Sequence, residues 1–212
     1  MKRLLTLLIL SLISCSKSKE TISTKIVGFI VYEDFSKPVA HELANALTDF
    51  YGIKTRIILE NKLPEKAFIN IKSPRYRADS LIKIQNKNSE DSSDYILGLT
   101  IKDISITRHD KDGTIKNPKW KYNDFGVMGL GYCPGKSCVI SSFRLKNKNK
   151  TIELSRLKKV VIHEFGHNLG LKHCINKKCI MTSAAEKIAT IDNEKMALCE
   201  KCKKKLNLKF PQ

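Results

Sequence analysis

The sequence predicts an α/β (α+β) fold, a twisted mixed sheet packed with helices, and three observations carry that prediction. Short apolar, β-branched runs bounded by turn residues read as buried strands. Between the first two of these runs, apolar residues recur at helical spacing. After several more strand-like runs comes one long helical pattern at about residues 155–170, an order that suggests a mixed sheet with helices packed on it.

The elements follow in order. Residues 26–32, Ile-Val-Gly-Phe-Ile-Val-Tyr, form the first strand. Ser36 and Pro38 mark a helix start, Val39, Leu43, Ala46, Leu47 and Phe50 share one face, and Gly52 closes the helix. A second strand is expected at about 55–59, a helix at about 75–87, a third strand at 95–101, and two short strands near 126–131 and 138–143. In the long helix Leu157, Val161, Phe165 and Leu169 step by four and form a core-facing stripe. His163 and His167 are also four apart, so their imidazoles emerge one turn from each other on a neighbouring face. Gly166 costs that helix about 1 kcal/mol relative to alanine, and its small size relieves crowding beside the histidines. Gly170 lies where a left-handed helix end is expected, and a turn there carries His173 back toward His163 and His167.

At 212 residues and 42% hydrophobic content, the chain suits a globular domain with its own core. A formal charge of +18 raises nucleic acid and anionic membranes as partners. The lysine runs at 146–150 and 203–205 carry no interleaved aromatic residues for base stacking, so they read as solvated surface and no nucleic-acid partner is expected. Lys2 and Arg3 precede a nearly unbroken apolar run from Leu4 to Ile13. That run is too short to span a bilayer, which takes about 20 residues, but it suits a secretory signal. Leu12-Ile13-Ser14-Cys15 resembles a bacterial lipobox, which implies cleavage before Cys15 and lipidation of its thiol; ordinary signal cleavage with Cys15 incidental is the alternative. Residues 1–14 are then a lipoprotein signal peptide, 15–24 a linker from lipidated Cys15, and 25–212 the folded domain. The mature protein is expected to be exported and membrane-anchored, in the periplasm or at the cell surface. Loss of Lys2 and Arg3 leaves 37 basic against 21 acidic residues, a charge of +16.

Residues 163–173, His-Glu-Phe-Gly-His-Asn-Leu-Gly-Leu-Lys-His, spell HExxHxxGxxH and hold three of the chain's five histidines. Two helical imidazoles and a third delivered by a turn offer three neutral nitrogen ligands with a fourth position open for water. That is the arrangement of a catalytic zinc. Water bound there has its pKa lowered to about 7 and becomes a nucleophile at neutral pH. Glu164 can take its proton as general base and hand it to a leaving amine, so the chemistry is hydrolysis of a peptide or protein substrate. His41 and His109 have no such setting and read as surface residues. Cys174, Cys179, Cys199 and Cys202 form two close pairs that match a closed, structural zinc site. Export leaves disulfide pairing of the same four as a rival. Cys133 and Cys138 flank Pro134-Gly135-Lys136-Ser137, with a loop disulfide and two free thiols both open.

Written out, the segment from His163 to Cys202 is HExxHxxGxxHCx4CxMx17CxxC. It resembles the metzincin metallopeptidases and, within them, fills every fixed position of the archaemetzincin signature. The matching stretch, Val161 to Cys202, is about a fifth of the chain. The resemblance implies a metzincin-like fold with His163, His167 and His173 as catalytic zinc ligands and Glu164 as general base. It further implies that Met181 is the Met-turn residue beneath the imidazoles and that Cys174, Cys179, Cys199 and Cys202 bind a structural zinc, two Zn2+ in all. That second zinc would bind the C-terminal tail to the loop carrying His173. The exported start is not a feature of the family pattern. In metzincins the substrate strand pairs with an exposed sheet edge above the metal; the glycine-rich stretch 125–132 is the candidate edge, with a loop or ordinary strand as the alternative. Two other function classes are a nucleic-acid binder using the four-cysteine site, against which export argues, and a catalytically silent zinc-binding protein of the same fold, against which the intact Glu164 argues.

Overall fold

A computed structural model of the protein describes residues 22–32, 35–87, 92–184 and 187–206. The expected signal peptide, Cys15 and most of the linker at 15–24 lie outside the described residues. In chain order the elements are β1 (Ile26–Tyr32), α1 (Lys37–Tyr51), β2 (Lys54–Asn61), β3 (Phe68–Asn70), β4 (Pro74–Arg77), α2 (Ala78–Lys87) and β5 (Tyr95–Thr100). They continue with β6 (Ile104–Ile106), α3 (Lys119–Tyr122), β7 (Phe125–Val127), β8 (Gly129–Gly131), β9 (Ser137–Ser141), α4 (Lys150–Asn168), α5 (Ile188–Asn193) and α6 (Glu200–Leu206).

Period-two alternation splits the strands between two cores. Val27, Phe29 and Val31 of β1, Leu97 and Leu99 of β5, and Cys138 and Ile140 of β9 share one core with α1 and α4. Ile30 and Tyr32 of β1 and Val139 of β9 turn the other way, toward α2 and a smaller sheet. The main sheet has the order β2-β1-β5-β9-β8. Its first four strands are parallel, and β8 runs antiparallel to β9 as the edge. The smaller sheet has the order β3-β4-β6-β7, with only β4 and β6 parallel. The expected mixed sheet packed with helices is therefore present. Among the described residues no helix is long and apolar enough to cross a membrane.

Several expected boundaries move. The helix placed at 75–87 begins at Ala78, because Pro74 to Arg77 form β4. Tyr76 pairs with Phe68 on one side and Ile104 on the other, and the Arg75 guanidinium sits 3.2 Å from Asp103 and 3.5 Å from Asp124, both beneath the small sheet. The strand placed at 126–131 is two strands in two sheets: Val127 pairs with Ile104, whereas Gly129 pairs with Ile140. The chain changes sheets at Met128, whose carbonyl accepts the Ser141 N–H at 2.8 Å. The strand placed at 138–143 stops at Ser141, where the Ser141 hydroxyl donates to the Lys102 carbonyl at 2.6 Å and accepts the Phe143 N–H at 3.1 Å. Those bonds turn the chain out of the ladder.

The two helix ends read from glycine stand. Gly52 adopts φ 66° and returns its N–H to the Thr48 carbonyl. Helix α4 starts at Lys150 rather than 155 because the Asn149 side chain caps it, accepting the N–H of Thr151 at 2.9 Å and of Ile152 at 3.4 Å. Leu157, Val161 and Phe165 are buried in the main core as the stripe requires.

Candidate metal centres and active-site cavity

Helix α4 ends in a Schellman turn. Gly170 takes φ 89°, its N–H bonds the His167 carbonyl at 2.8 Å, and the Leu171 N–H bonds the Gly166 carbonyl at 3.0 Å. The reversed chain brings the His173 ring to 5.4 Å from that of His163 and 4.8 Å from that of His167, centroid to centroid. Nε2 of His163 and Nε2 of His167 are 3.1 Å apart. Each of these two rings faces a backbone carbonyl with its other nitrogen: His163 Nδ1 with Ile180 at 2.7 Å and His167 Nδ1 with Leu171 at 2.6 Å. A carbonyl can only accept, so the proton belongs on Nδ1 and the Nε2 lone pair is left for a ligand. Burial, with His167 close by, pushes His163 down to about 3. Burial also lowers His167, and lowers His173 with help from the Arg108 charge. All three imidazoles are then neutral at pH 7, the form that ligates a metal.

Met181 is fully buried, with its sulfur packed against Gly166 of α4. A Cβ on Gly166 would stand 2.5 Å from the Met181 sulfur and 2.8 Å from the Tyr51 hydroxyl oxygen. Glycine at 166 is what lets both approach the helix, and the Tyr51 hydroxyl uses that room to donate to the Ile162 carbonyl at 3.0 Å.

Glu164 lies against the edge strand β8. Its carboxylate accepts the Gly131 backbone N–H, and burial nonetheless pushes its carboxyl up to about 8. A Cβ on Gly129 would stand 2.6 Å from Glu164 Cγ, and one on Gly131 would overlap the Glu164 carbonyl oxygen. Only glycines fit between the sheet edge and the helix here. The Asn168 amide completes the junction, donating to the carbonyls of Tyr132 at 3.1 Å and Ser137 at 2.9 Å. A cavity of about 600 Å³ opens over the histidines and Glu164, and Gly129 to Gly131 line it. Of the glycine-rich stretch 125–132, the part at 129–131 is thus a sheet edge beside the site, and the part at 125–127 belongs to the smaller sheet.

The four cysteines also converge. Cys174 and Cys199 have sulfurs 3.7 Å apart, Cys179 and Cys202 3.9 Å, and all four lie within 4.8 Å of one another. Tetrahedral metal–sulfur bonds of about 2.3 Å separate sulfurs by about 3.8 Å, whereas a disulfide requires about 2.05 Å. The spacing fits a zinc ion and excludes disulfides among the four in this conformation. Burial acts upward on Cys199, but bonds from the Cys202 backbone and from the Cys174 and Cys202 thiols outweigh it and bring Cys199 down to about 7. The loop between the two centres is shared: the Cys174 N–H bonds the Met181 carbonyl at 2.8 Å, and the Ile180 N–H bonds Ala197 at 2.9 Å. Cys133 is exposed, Cys138 is buried in β9, and both are free thiols, so no disulfide closes that loop. His41 and His109 are exposed and belong to neither cluster.

Arg108 and Glu194 are charged cavity residues not read from the sequence. Arg108 lies over the Phe125 ring at 4.1 Å and lines the cavity beside His173. Glu194 is buried and lines the same cavity. Both sit in short irregular segments, where no periodicity or motif singles a residue out.

The chain matches the family model described as Peptidase family M54 over residues 19–208. An archaemetzincin of Haloquadratum walsbyi is 28% identical over 190 residues, covering 85% of this chain and 99% of that protein. The crystal structure of archaemetzincin from Methanopyrus kandleri superimposes with a TM-score of 0.70 at 22% identity, covering 87% of this chain and 94% of that one. That of archaemetzincin from Archaeoglobus fulgidus, complexed with malonate, gives 0.67 at 23% identity, covering 84% and 99%. With nearly the whole chain inside that match and the histidine and cysteine clusters assembled as described, this protein belongs to peptidase family M54, the archaemetzincin family of zinc metallopeptidases.

Proposed function

We propose that His163, His167 and His173 hold a catalytic zinc ion through Nε2, that Glu164 is the general base of peptide-bond hydrolysis, and that Cys174, Cys179, Cys199 and Cys202 hold a second, structural zinc ion. The observation that carries the catalytic assignment is the pair of Nδ1–carbonyl bonds, which aim two Nε2 lone pairs at one point between three neutral rings. A zinc ion held there would supply a Lewis acid and a water with its pKa lowered to about 7, and its charge would favour the ionised form of Glu164. The Glu164 carboxylate, held by the Gly131 N–H, receives the proton and returns it to the departing amine. Met181 forms the apolar floor that fixes the rings from below. Among the described residues no strand lies against the outer side of β8, and its glycines admit a peptide backbone laid alongside as an added strand. The test is zinc content with cleavage of a mixed peptide library: two zinc ions per chain with cleavage support the assignment, and two without cleavage support the silent binding protein instead.

The N-terminal features support a second part of the proposal, that the enzyme is exported and anchored through lipidated Cys15, so that its substrates are peptides outside the cytoplasm. Expressed in a bacterium from the full chain, the protein then partitions into detergent phase, and Cys15→Ala moves it to the aqueous phase; equal partitioning of the two would exclude the anchor.

A further inference from the structure

The cavity has one wall that the hydrolytic chemistry leaves unused. It is built from Val160 on α4, Ala184, and Ile188 and Ile191 on α5, with Glu194 just after that helix. Val160 precedes Glu164 by one helical turn, so this wall starts beside the reacting group and runs toward the N-terminal end of α4. Its side chains are apolar except at Glu194, which is 6% exposed. One carboxylate oxygen of Glu194, Oε2, has no hydrogen-bond partner among the described residues. Burial pushes this carboxyl up to about 8, even though the Lys159 charge acts in the opposite direction.

Two basic side chains of α4 close to α5 are bonded elsewhere. The Lys159 ammonium donates to the carbonyls of Ile191 at 2.5 Å and Asp192 at 3.3 Å. Arg156 grips the Asp192 carboxylate with two bonds of 2.7 Å. Burial holds this group mainly as the neutral acid in the empty protein, because an ionised carboxylate there would be a buried charge without a partner for Oε2. A ligand that supplies a cation removes that penalty, and so gains an interaction that an uncharged competitor lacks. An apolar slot ending in a carboxylate fits a side chain with a long methylene stem and a positive tip.

Building on the peptidase reading, we propose that this wall is a specificity subsite, in which Glu194 selects peptides carrying lysine or arginine next to the scissile bond. The carboxylate contacts the substrate side chain and takes no part in bond cleavage.

The test uses the zinc-loaded protein and quenched fluorescent peptides that differ only at the two positions flanking the scissile bond, with lysine, arginine, glutamine or norleucine in each. For the wild type, kcat/KM is expected to favour lysine or arginine over norleucine by about tenfold or more at one of the two positions. In Glu194→Gln that ratio falls to near one. A ratio that survives the substitution, or a wild type that prefers norleucine, overturns the assignment. In parallel, binding of the same peptides is measured by fluorescence anisotropy to Glu164→Ala and to the double variant Glu164→Ala, Glu194→Gln. Discrimination between lysine and norleucine is expected in the first and lost in the second. Should the wild type cleave none of the peptides, the peptidase reading fails while the binding ratio still decides the subsite: equal affinities for lysine and norleucine would reject it.

Discussion

Glu164→Gln is expected to lower kcat for peptide cleavage by about 10²–10⁴-fold, the range that a positioned general base contributes, with zinc content unchanged. Glutamine keeps the size of the side chain, and its amide oxygen can still accept the Gly131 N–H, so the packing of α4 against β8 persists. What disappears is a group able to receive and return a proton. The His163 and His167 rings are oriented by carbonyls of Ile180 and Leu171, not by Glu164, so metal retention does not depend on it. The comparison needs initial rates and metal analysis on the same preparations. A variant retaining more than about a tenth of the wild-type kcat would transfer the base role to another group.

Cys202→Ser is expected to have the largest effect on stability. Structural zinc contributes about 10–16 kcal/mol in isolated zinc fingers, comparable with the whole stability of an ordinary domain, about 5–15 kcal/mol. Cys202 is the member of the proposed ligand set that lies on α6, and the tail before it bonds the loop whose Ile180 carbonyl faces His163. The substitution should therefore lower zinc from two to one or fewer per chain, expose residues 174–206 to limited proteolysis and depress cleavage as well. An unchanged melting temperature, or a wild type in which none of the four thiols titrates after metal removal, would reject a zinc-held tail.

The parts legible in the sequence were those governed by short-range rules. The α4 stripe of Leu157, Val161 and Phe165, the turn at Gly170 and the convergence of His163, His167 and His173 follow from helical spacing and one left-handed residue. The cysteine spacing carried the second cluster, which the fold assembles from a loop and a helix 20 or more residues apart. The remainder depends on partners remote in the chain. Pro74 to Arg77 read as part of a helix because nothing local shows that Arg75 meets Asp103 and Asp124. The sheet change at Met128 is likewise decided by Ser141 and Ile104, not by its neighbours. Glu194 carries no signature at all; its significance lies in the cavity that closes around it.

Leu171 gives the backbone of one residue two tasks: its N–H ends the helix on Gly166, and its carbonyl holds the His167 ring. Helix ends ordinarily fray at almost no free-energy cost. Here the terminal turn cannot loosen without letting the imidazole swing, and the zinc ion proposed for that ring would resist the loosening in turn. Solvent exchange of the Leu171 N–H and escape of that ion would then be a single opening event. The fixed three-residue interval between His167 and Gly170 is, in kinetic terms, a latch.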